Sequence, residues 1–424
     1  MNQRPAHEPT RDFGSSRRLW DDAIRHTRSL GCHSCKDFGR CGGLHTEAGL
    51  LDCKDLCSCA DKAKCDMVCR FKPGQFVRRM REVGGLGFET APRAPVIPVP
   101  DFPSILPFVG DGYSRLATLD EPIVALSLYD VINLATGELH VTTREALARR
   151  FRIPADAIVV LSGVEKDRKI ERWWELSNRP ALLAGLKNLD IALVTTPNFS
   201  VLSNVPRTDN LHSMKRILLS WVEMAQAGLV AALHVNARTD TDFGRWSRLI
   251  QDREEIQAIA FEFATGCGQG DRIDWHVRQL CGMADAAGRP LTLAIRGGMR
   301  KLPELREHFA RVSVIETDAF ARTMRRRRAV LSETGRVRWL ASPSPRGSPI
   351  DELLAHNVAL VRTAYSSEPA QAPRSNPLVR PVPRLAPHRY DQSRQPSLLR
   401  DFDLAHEIWA VANDRQDMIV AAKP

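Results

Sequence analysis

The sequence contains no run of about 18 or more uncharged apolar residues, which excludes a helix that spans a bilayer. Its opening, MNQRPAHEPTRDFGSSRR, has no apolar stretch of the kind a secretory signal requires. These two absences predict a cytoplasmic protein with no membrane partner. Neither G-x-G-x-x-G nor a P-loop occurs. Gly266, Gly268 and Gly270 in ATGCGQGD stand after a strand and before a helix, where a phosphate loop belongs, but at the wrong intervals. There is no long internal repeat. Beyond position 69 cysteine is nearly absent: only Cys267 and Cys281 remain, and they read as ordinary buried thiols.

What is present is a chain of 424 residues with globular proportions, 43% hydrophobic and 26% charged. That length accommodates one barrel of roughly 250 residues plus appendages. The net charge of +10 suits a polyanionic partner such as nucleic acid, although a GC-rich genome produces the same arginine bias.

Texture divides the chain. Residues 1–31 form a polar N-terminal segment, 32–75 a cysteine-rich module, and 76–120 a Pro-rich connector. The connector's second half, APRAPVIPVPDFPSILP, is expected to be extended because proline fixes φ and removes donors. From 121 to 364 short apolar runs alternate with amphipathic stretches. Strands are expected at 122–130, 157–164, 190–197, 229–236, 258–265, 290–297, 311–318 and 336–342, with helices between them and glycine closing helices at Gly228 and Gly288. Eight strands alternating with helices is the count of a (β/α)8 barrel. A doubly wound open sheet alternates similarly, and the barrel is favoured. Residues 365–400, rich in Pro, Arg and Ser, predict a disordered linker, and 401–424 a C-terminal helix.

Eight of the ten cysteines fall between positions 32 and 69. Cytoplasmic thiols stay reduced, so clustering there points to metal rather than disulfides. Cys32, Cys35, Cys41 and His45 are spaced x2, x5, x3; Cys57, Cys59, Cys65 and Cys69 are spaced x1, x5, x3. Cys53 is an alternative to His45 as the fourth ligand of the first group, giving two all-thiolate tetrads. A segment this polar cannot pack a core, so metal would supply its folding energy. The stretch CHSCKDFGRCGG resembles the Cys-x2-Cys-x5-Cys signature of accessory iron–sulfur domains in radical-SAM enzymes, departing from it at His45, where that pattern has cysteine. The two tetrads give two centres, and the resemblance favours [4Fe–4S] clusters in them, with two zinc ions as the alternative. The radical-SAM motif itself is missing: Cys53-x3-Cys57 is followed by Cys59, one residue early.

Ligand-binding and catalytic residues of β/α proteins gather where strands end. In the expected strands, period-2 alternation puts Ala232, His234 and Asn236 on one face, Ala260 and Glu262 on one face, and Thr292, Ala294 and Arg296 on one face, with bulky residues opposite. His234, Asn236, Glu262 and Arg296 are therefore the expected catalytic set, with His234 and Glu262 in acid–base roles and Arg296 as an anion clamp. The competing reading is an internal Glu262–Arg296 ion pair beside polar groups that satisfy backbone. Asn198, Arg238, Asp240 and Glu316 are expected to bind substrate from the loops. Arg325, Arg326, Arg327 and Arg328, with Arg322, form a compact basic patch on an expected helix, readable as a nucleic-acid contact or a solvated face.

The stretch from Thr195 to Trp246 resembles a bacterial and phage family of unknown function, through an Asn-Phe-Ser, a downstream proline, an aromatic-bearing helix, and a strand followed by a polar loop. The resemblance implies that Asn198–Ser200 and His234–Arg238 belong to its characteristic core, and that the gene travels on mobile elements. Together these observations predict a metal-cluster barrel enzyme acting on nucleic acid or a nucleotide. The alternative is a non-catalytic, zinc- or cluster-stabilised nucleic-acid-binding accessory protein.

Overall fold

The computed structural model describes residues 82–366, apart from 112–114, 202–206, 266, 268–270 and 346. The N-terminal segment, all eight clustered cysteines, residues 367–400 of the linker and the helix expected at 401–424 lie outside the described residues, as do Gly266, Gly268 and Gly270.

Eight strands form one parallel sheet: β1 (Ile105–Pro107), β2 (Ile123–Ser127), β5 (Ile158–Ser162), β6 (Leu193–Thr195), β7 (Ala231–His234), β8 (Ala258–Glu262), β9 (Thr292–Arg296) and β10 (Arg311–Glu316). Two small antiparallel pairs lie apart, β3 (Ile132–Asn133) with β4 (Glu138–Leu139), and β11 (Arg327–Leu331) with β12 (Val337–Ala341). The helices are α1 (Leu128–Val131), α2 (Arg144–Phe151), α3 (Asp167–Glu175), α4 (Arg179–Asn188), α5 (Arg207–Gln226), α6 (Asp240–Asp252), α7 (Asp271–Ala287), α8 (Leu302–Arg306), α9 (Asp318–Met324) and α10 (Asp351–Ser366). Each barrel strand pairs with its predecessor, β10 pairs with β1, and β1 meets β2 through the parallel bridge Phe108–Ala125, where Val109 N–H donates to the Ala125 carbonyl at 2.9 Å. The sheet is thus nearly closed, and the doubly wound alternative does not hold.

Side-chain alternation creates two cores. Val124, Leu126, Val159, Leu161, Leu233, Ile259, Leu293 and Ile295 join the large cluster beneath the helices. Ala125, Val160, Ala232, Ala260, Ala294 and Ile315 face inward, where small residues suit a narrow barrel, and Val99 and Phe102 pack against them from the chain leading into β1. Gly228 and Gly288 adopt positive φ just after α5 and α7, the left-handed stop that glycine makes cheap.

Two expectations change. The eighth barrel strand is Ile105–Pro107, inside the stretch read as Pro-rich connector, whereas 336–342 forms β12 of an external hairpin. β1 has only three residues, the last of them Pro107, too few to show a period. β12 alternates as a half-buried strand should, but a turn closed by Gly335 at φ 72° returns it antiparallel to β11. The preceding chain is also anchored. Buried Lys215 donates to the Gly87 carbonyl at 2.5 Å and to Thr90 Oγ1 at 2.6 Å, Arg253 donates to the Ala91 and Pro92 carbonyls at 2.6 Å, and Phe88 stacks on Trp246 at 4.4 Å.

Candidate functional site

Because alternate residues face inward, each strand offers one last inward side chain at its C-terminal end. These are Ser127, Ser162, Thr195, His234, Glu262 and Arg296 on β2 and β5 to β9, and all but Arg296 are buried. The mouth is therefore hydroxyl-lined on one side and carries ionisable groups on the other.

His234 lies in a fixed tautomer. Its Nδ1 is 2.6 Å from the Thr196 carbonyl, which can only accept, so Nδ1 carries the proton and Nε2 keeps its lone pair. Its backbone N–H donates to Thr196 Oγ1 at 3.0 Å, so one threonine grips the residue twice. Burial pulls the imidazole pKa down to about 4, the nearby Arg296 charge assists, and His234 is neutral at physiological pH.

Glu262 and Arg296 are register partners on β8 and β9. Burial pushes the Glu262 carboxyl up to about 7, against the opposing pull of Arg296 and of the Ala264 N–H, which donates to Oε1 at 2.7 Å. Arg296 Nε stands 3.7 Å from Glu262 Oε2, an ion pair too long for a hydrogen bond, and neither atom has a hydrogen-bond partner. On the other side Arg296 Nη1 reaches across the barrel to the Val164 carbonyl beyond β5, at 3.3 Å. The guanidinium thus spans the mouth on two loose contacts. Of the two sequence readings, the ion pair exists, and it leaves both partners with capacity for a ligand.

The floor opposite is tight. Gly163 N–H donates to Thr195 Oγ1 at 2.8 Å and its carbonyl accepts from Tyr129 Oη at 3.1 Å. A Cβ on Gly163 would lie 2.3 Å from the Thr195 and Thr196 carbonyl oxygens, so β5 and β6 approach there as only glycine allows.

The remaining expected residues divide. Asn236 Nδ2 donates to Asn198 Oδ1 at 3.1 Å and to the Phe199 carbonyl at 3.0 Å, so the two asparagines brace neighbouring rim loops. Arg238 Nη1 donates to Cys267 Sγ at 3.0 Å, and Asp240 accepts from Trp275 Nε1 at 3.2 Å and Gln279 Nε2 at 2.6 Å, which ties α6 to α7 on the outer rim. Glu316 turns to its own helix, accepting from the N–H groups of Asp318 at 2.6 Å and Ala319 at 3.1 Å; burial pushes it up to about 7. Asp240 and Glu316 are accordingly engaged in fixing helices. Of the arginines expected on one helix, Arg322 is on α9, Arg325 caps it, Arg326 has φ 52°, and Arg327 and Arg328 begin β11. Cys267 and Cys281 are buried, and Cys281 is pushed up to about 12 by burial.

Sequence reasoning overlooked Ser127, Ser162 and Thr195. They obey the parity rule that selects His234, but hydroxyls in strands carry no distinctive signal. Thr196 acts through its backbone as well as its side chain, which no pattern reveals. Apart from the mouth, a cavity of about 430 Å³ lies between residues 86–93 and helix α6, lined in part by Phe88, Leu211, Arg248 and Arg253. Among the described residues no helix is long and apolar enough to cross a membrane, and no group of three or more His, Cys, Asp or Glu side chains is placed to hold a metal. No protein-family model matches the chain, and no curated protein matches it.

Proposed function

We propose that this protein is a cytoplasmic barrel enzyme that performs acid–base chemistry on a nucleic acid or nucleotide at the mouth formed by β7, β8 and β9. One observation carries the reading: adjacent strands present a histidine of fixed neutral tautomer, a carboxyl held at about 7, and a guanidinium on two loose contacts. Inward ionisable groups on neighbouring strands cost desolvation, and a carboxyl displaced toward neutrality by burial, as Glu262 is, is the mark of a group that exchanges protons. Arg296 supplies positive charge and paired donors for a phosphoryl oxygen. Glu262, about half protonated near pH 7, delivers or accepts a proton at Oε2, and neutral His234 offers the Nε2 lone pair as a hydrogen-bond acceptor that orients the substrate.

The N-terminal cysteines complete the proposal. Cys32, Cys35, Cys41, Cys53, Cys57, Cys59, Cys65 and Cys69 supply the donors of two thiolate tetrads, which suit two [4Fe–4S] clusters or, alternatively, two zinc ions. Iron–sulfur clusters would provide electron transfer, and zinc would provide folding energy. The resemblance of 195–246 to a phage-borne family fits a role on a mobile element.

The test is turnover of a panel of nucleotides and oligonucleotides by the full-length protein and by Glu262→Gln, which keeps size and the Ala264 hydrogen bond but cannot exchange a proton. Turnover lost by about a hundredfold or more with an unchanged melting temperature supports the acid–base role. Equal turnover by the variant, or no turnover of any panel member by the parent, overturns it.

A further inference from the structure

We infer that the hairpin β11–β12 is a rigid docking ribbon for the phosphate backbone of a polynucleotide, separate from the mouth. The inference rests on the nucleic-acid reading above and narrows it, since a polymer and not a free nucleotide would need such a surface.

Charge is the first ground. Between positions 322 and 342 there are seven arginines, no lysine, and one acid, Glu333 in the turn. Four of those arginines, Arg325, Arg327, Arg336 and Arg338, are exposed, and their guanidinium groups make no hydrogen bond or ion pair with any described residue. Arginine in place of lysine favours bidentate contact with phosphate.

Register is the second. Arg328 lies opposite Leu340 and Val330 opposite Arg338, so Arg328 and Arg338 share the outward face. The inward face carries Ala329, fully buried, and Val337 and Trp339, packed on the core. Arg327 falls on the other face with Ala329, and Arg328 Nη2 lies 3.1 Å from His356 Nδ1, so the unengaged cation of the outward face is Arg338, with Arg336 next to it at the turn end of the ribbon.

Rigidity is the third. Fully buried Asn357 on α10 accepts from Ala329 N–H at 2.7 Å and donates to the Arg327 carbonyl and to Thr323 Oγ1, both at 2.8 Å, while His356 Nε2 bonds the Ala329 carbonyl at 2.9 Å. A two-stranded ribbon held this way presents its side chains without paying to order them on binding, and a ribbon of this width fits the major groove of a duplex or tracks a single strand.

An anionic membrane would also attract these charges. The exposed leucines argue against it: Leu340 (55% exposed) is on the outward face and Leu331 (48%) on the inward one, so they form no continuous apolar wedge.

The experiment measures binding of fluorescent single-stranded and duplex oligonucleotides to the full-length protein across a salt series. The parent is compared with Arg336→Ala/Arg338→Ala and with Glu262→Gln, and anionic vesicles (phosphatidylserine in phosphatidylcholine) serve as the second probe. The double variant, changed only at exposed positions, is expected to keep its melting temperature. It should bind about tenfold more weakly whatever the sequence, with a slope of log K against log salt lower by about 2. Unchanged oligonucleotide affinity and slope in the double variant overturns the inference. So does arginine-dependent binding confined to vesicles. Glu262→Gln serves in the same series as the turnover control for the mouth. Full turnover by that variant together with weak binding by the double variant would remove the mouth reading and leave the ribbon standing.

Discussion

Glu262 gives a prediction that needs no knowledge of the substrate. Its carboxyl ordinarily titrates at 4.5 and in the fold at about 7. At about 1.4 kcal/mol per tenfold change in proton affinity, that displacement corresponds to about 3 kcal/mol of folding free energy. The sign follows from proton counting. Between pH 4.5 and 7 the folded protein retains a proton that the unfolded chain has released, so stability falls as pH rises through that window and stays lowered above it. Glu316, also at about 7, acts in the same direction. His234 and His276, both drawn down to about 4 by burial, act oppositely: the unfolded chain binds their protons first, so their contribution rises with pH from about 4 to 6.5. The wild-type profile therefore mixes opposing slopes, and the comparison with Glu262→Gln isolates one group, because the others are common to both. Urea unfolding from pH 4.5 to 8 should show the variant gaining on wild type by about 3 kcal/mol across the window. Parallel profiles would refute the buried, weakly compensated carboxyl.

Two further outcomes are expected. Anaerobically purified full-length protein should absorb near ~400 nm and contain about eight irons if the thiolates hold two [4Fe–4S] clusters, or be colourless with about two zincs; reduced, freshly isolated protein with neither metal would remove the metal reading. Gly163→Ala should destabilise the protein by about 3 kcal/mol or more, read by thermal or urea unfolding, since its Cβ would sit 2.3 Å from two carbonyl oxygens; a variant as stable as the parent would mean β5 and β6 can separate at no cost.

The order of legibility has a physical cause. Strands β2 and β5 to β10 are buried between helices and an inner core, so they appear in the sequence as apolar runs, and the last inward residue of three of them identifies His234, Glu262 and Arg296 by parity alone. β1 escapes because three residues ending on a proline carry no period. Its place in the sheet comes from pairing with β10, a contact between parts of the chain some 200 residues apart. β12 shows the converse: a valid local strand pattern whose partner and direction are set by a turn and by α10.

The sequence by itself determined that the chain is basic, that apolar runs alternate with amphipathic stretches, and that eight cysteines gather between positions 32 and 69. The period of two, a property of the strand itself, also put His234, Glu262 and Arg296 on the inward face. Only the tertiary structure decided what those residues are: a histidine locked by the Thr196 carbonyl, a carboxyl raised to about 7 by burial, and an arginine stretched loosely across the opening. It also turned Asp240 and Glu316 toward helices and carried the arginine run onto a ribbon. Those properties depend on desolvation and on distances between segments remote in sequence, which no local pattern encodes.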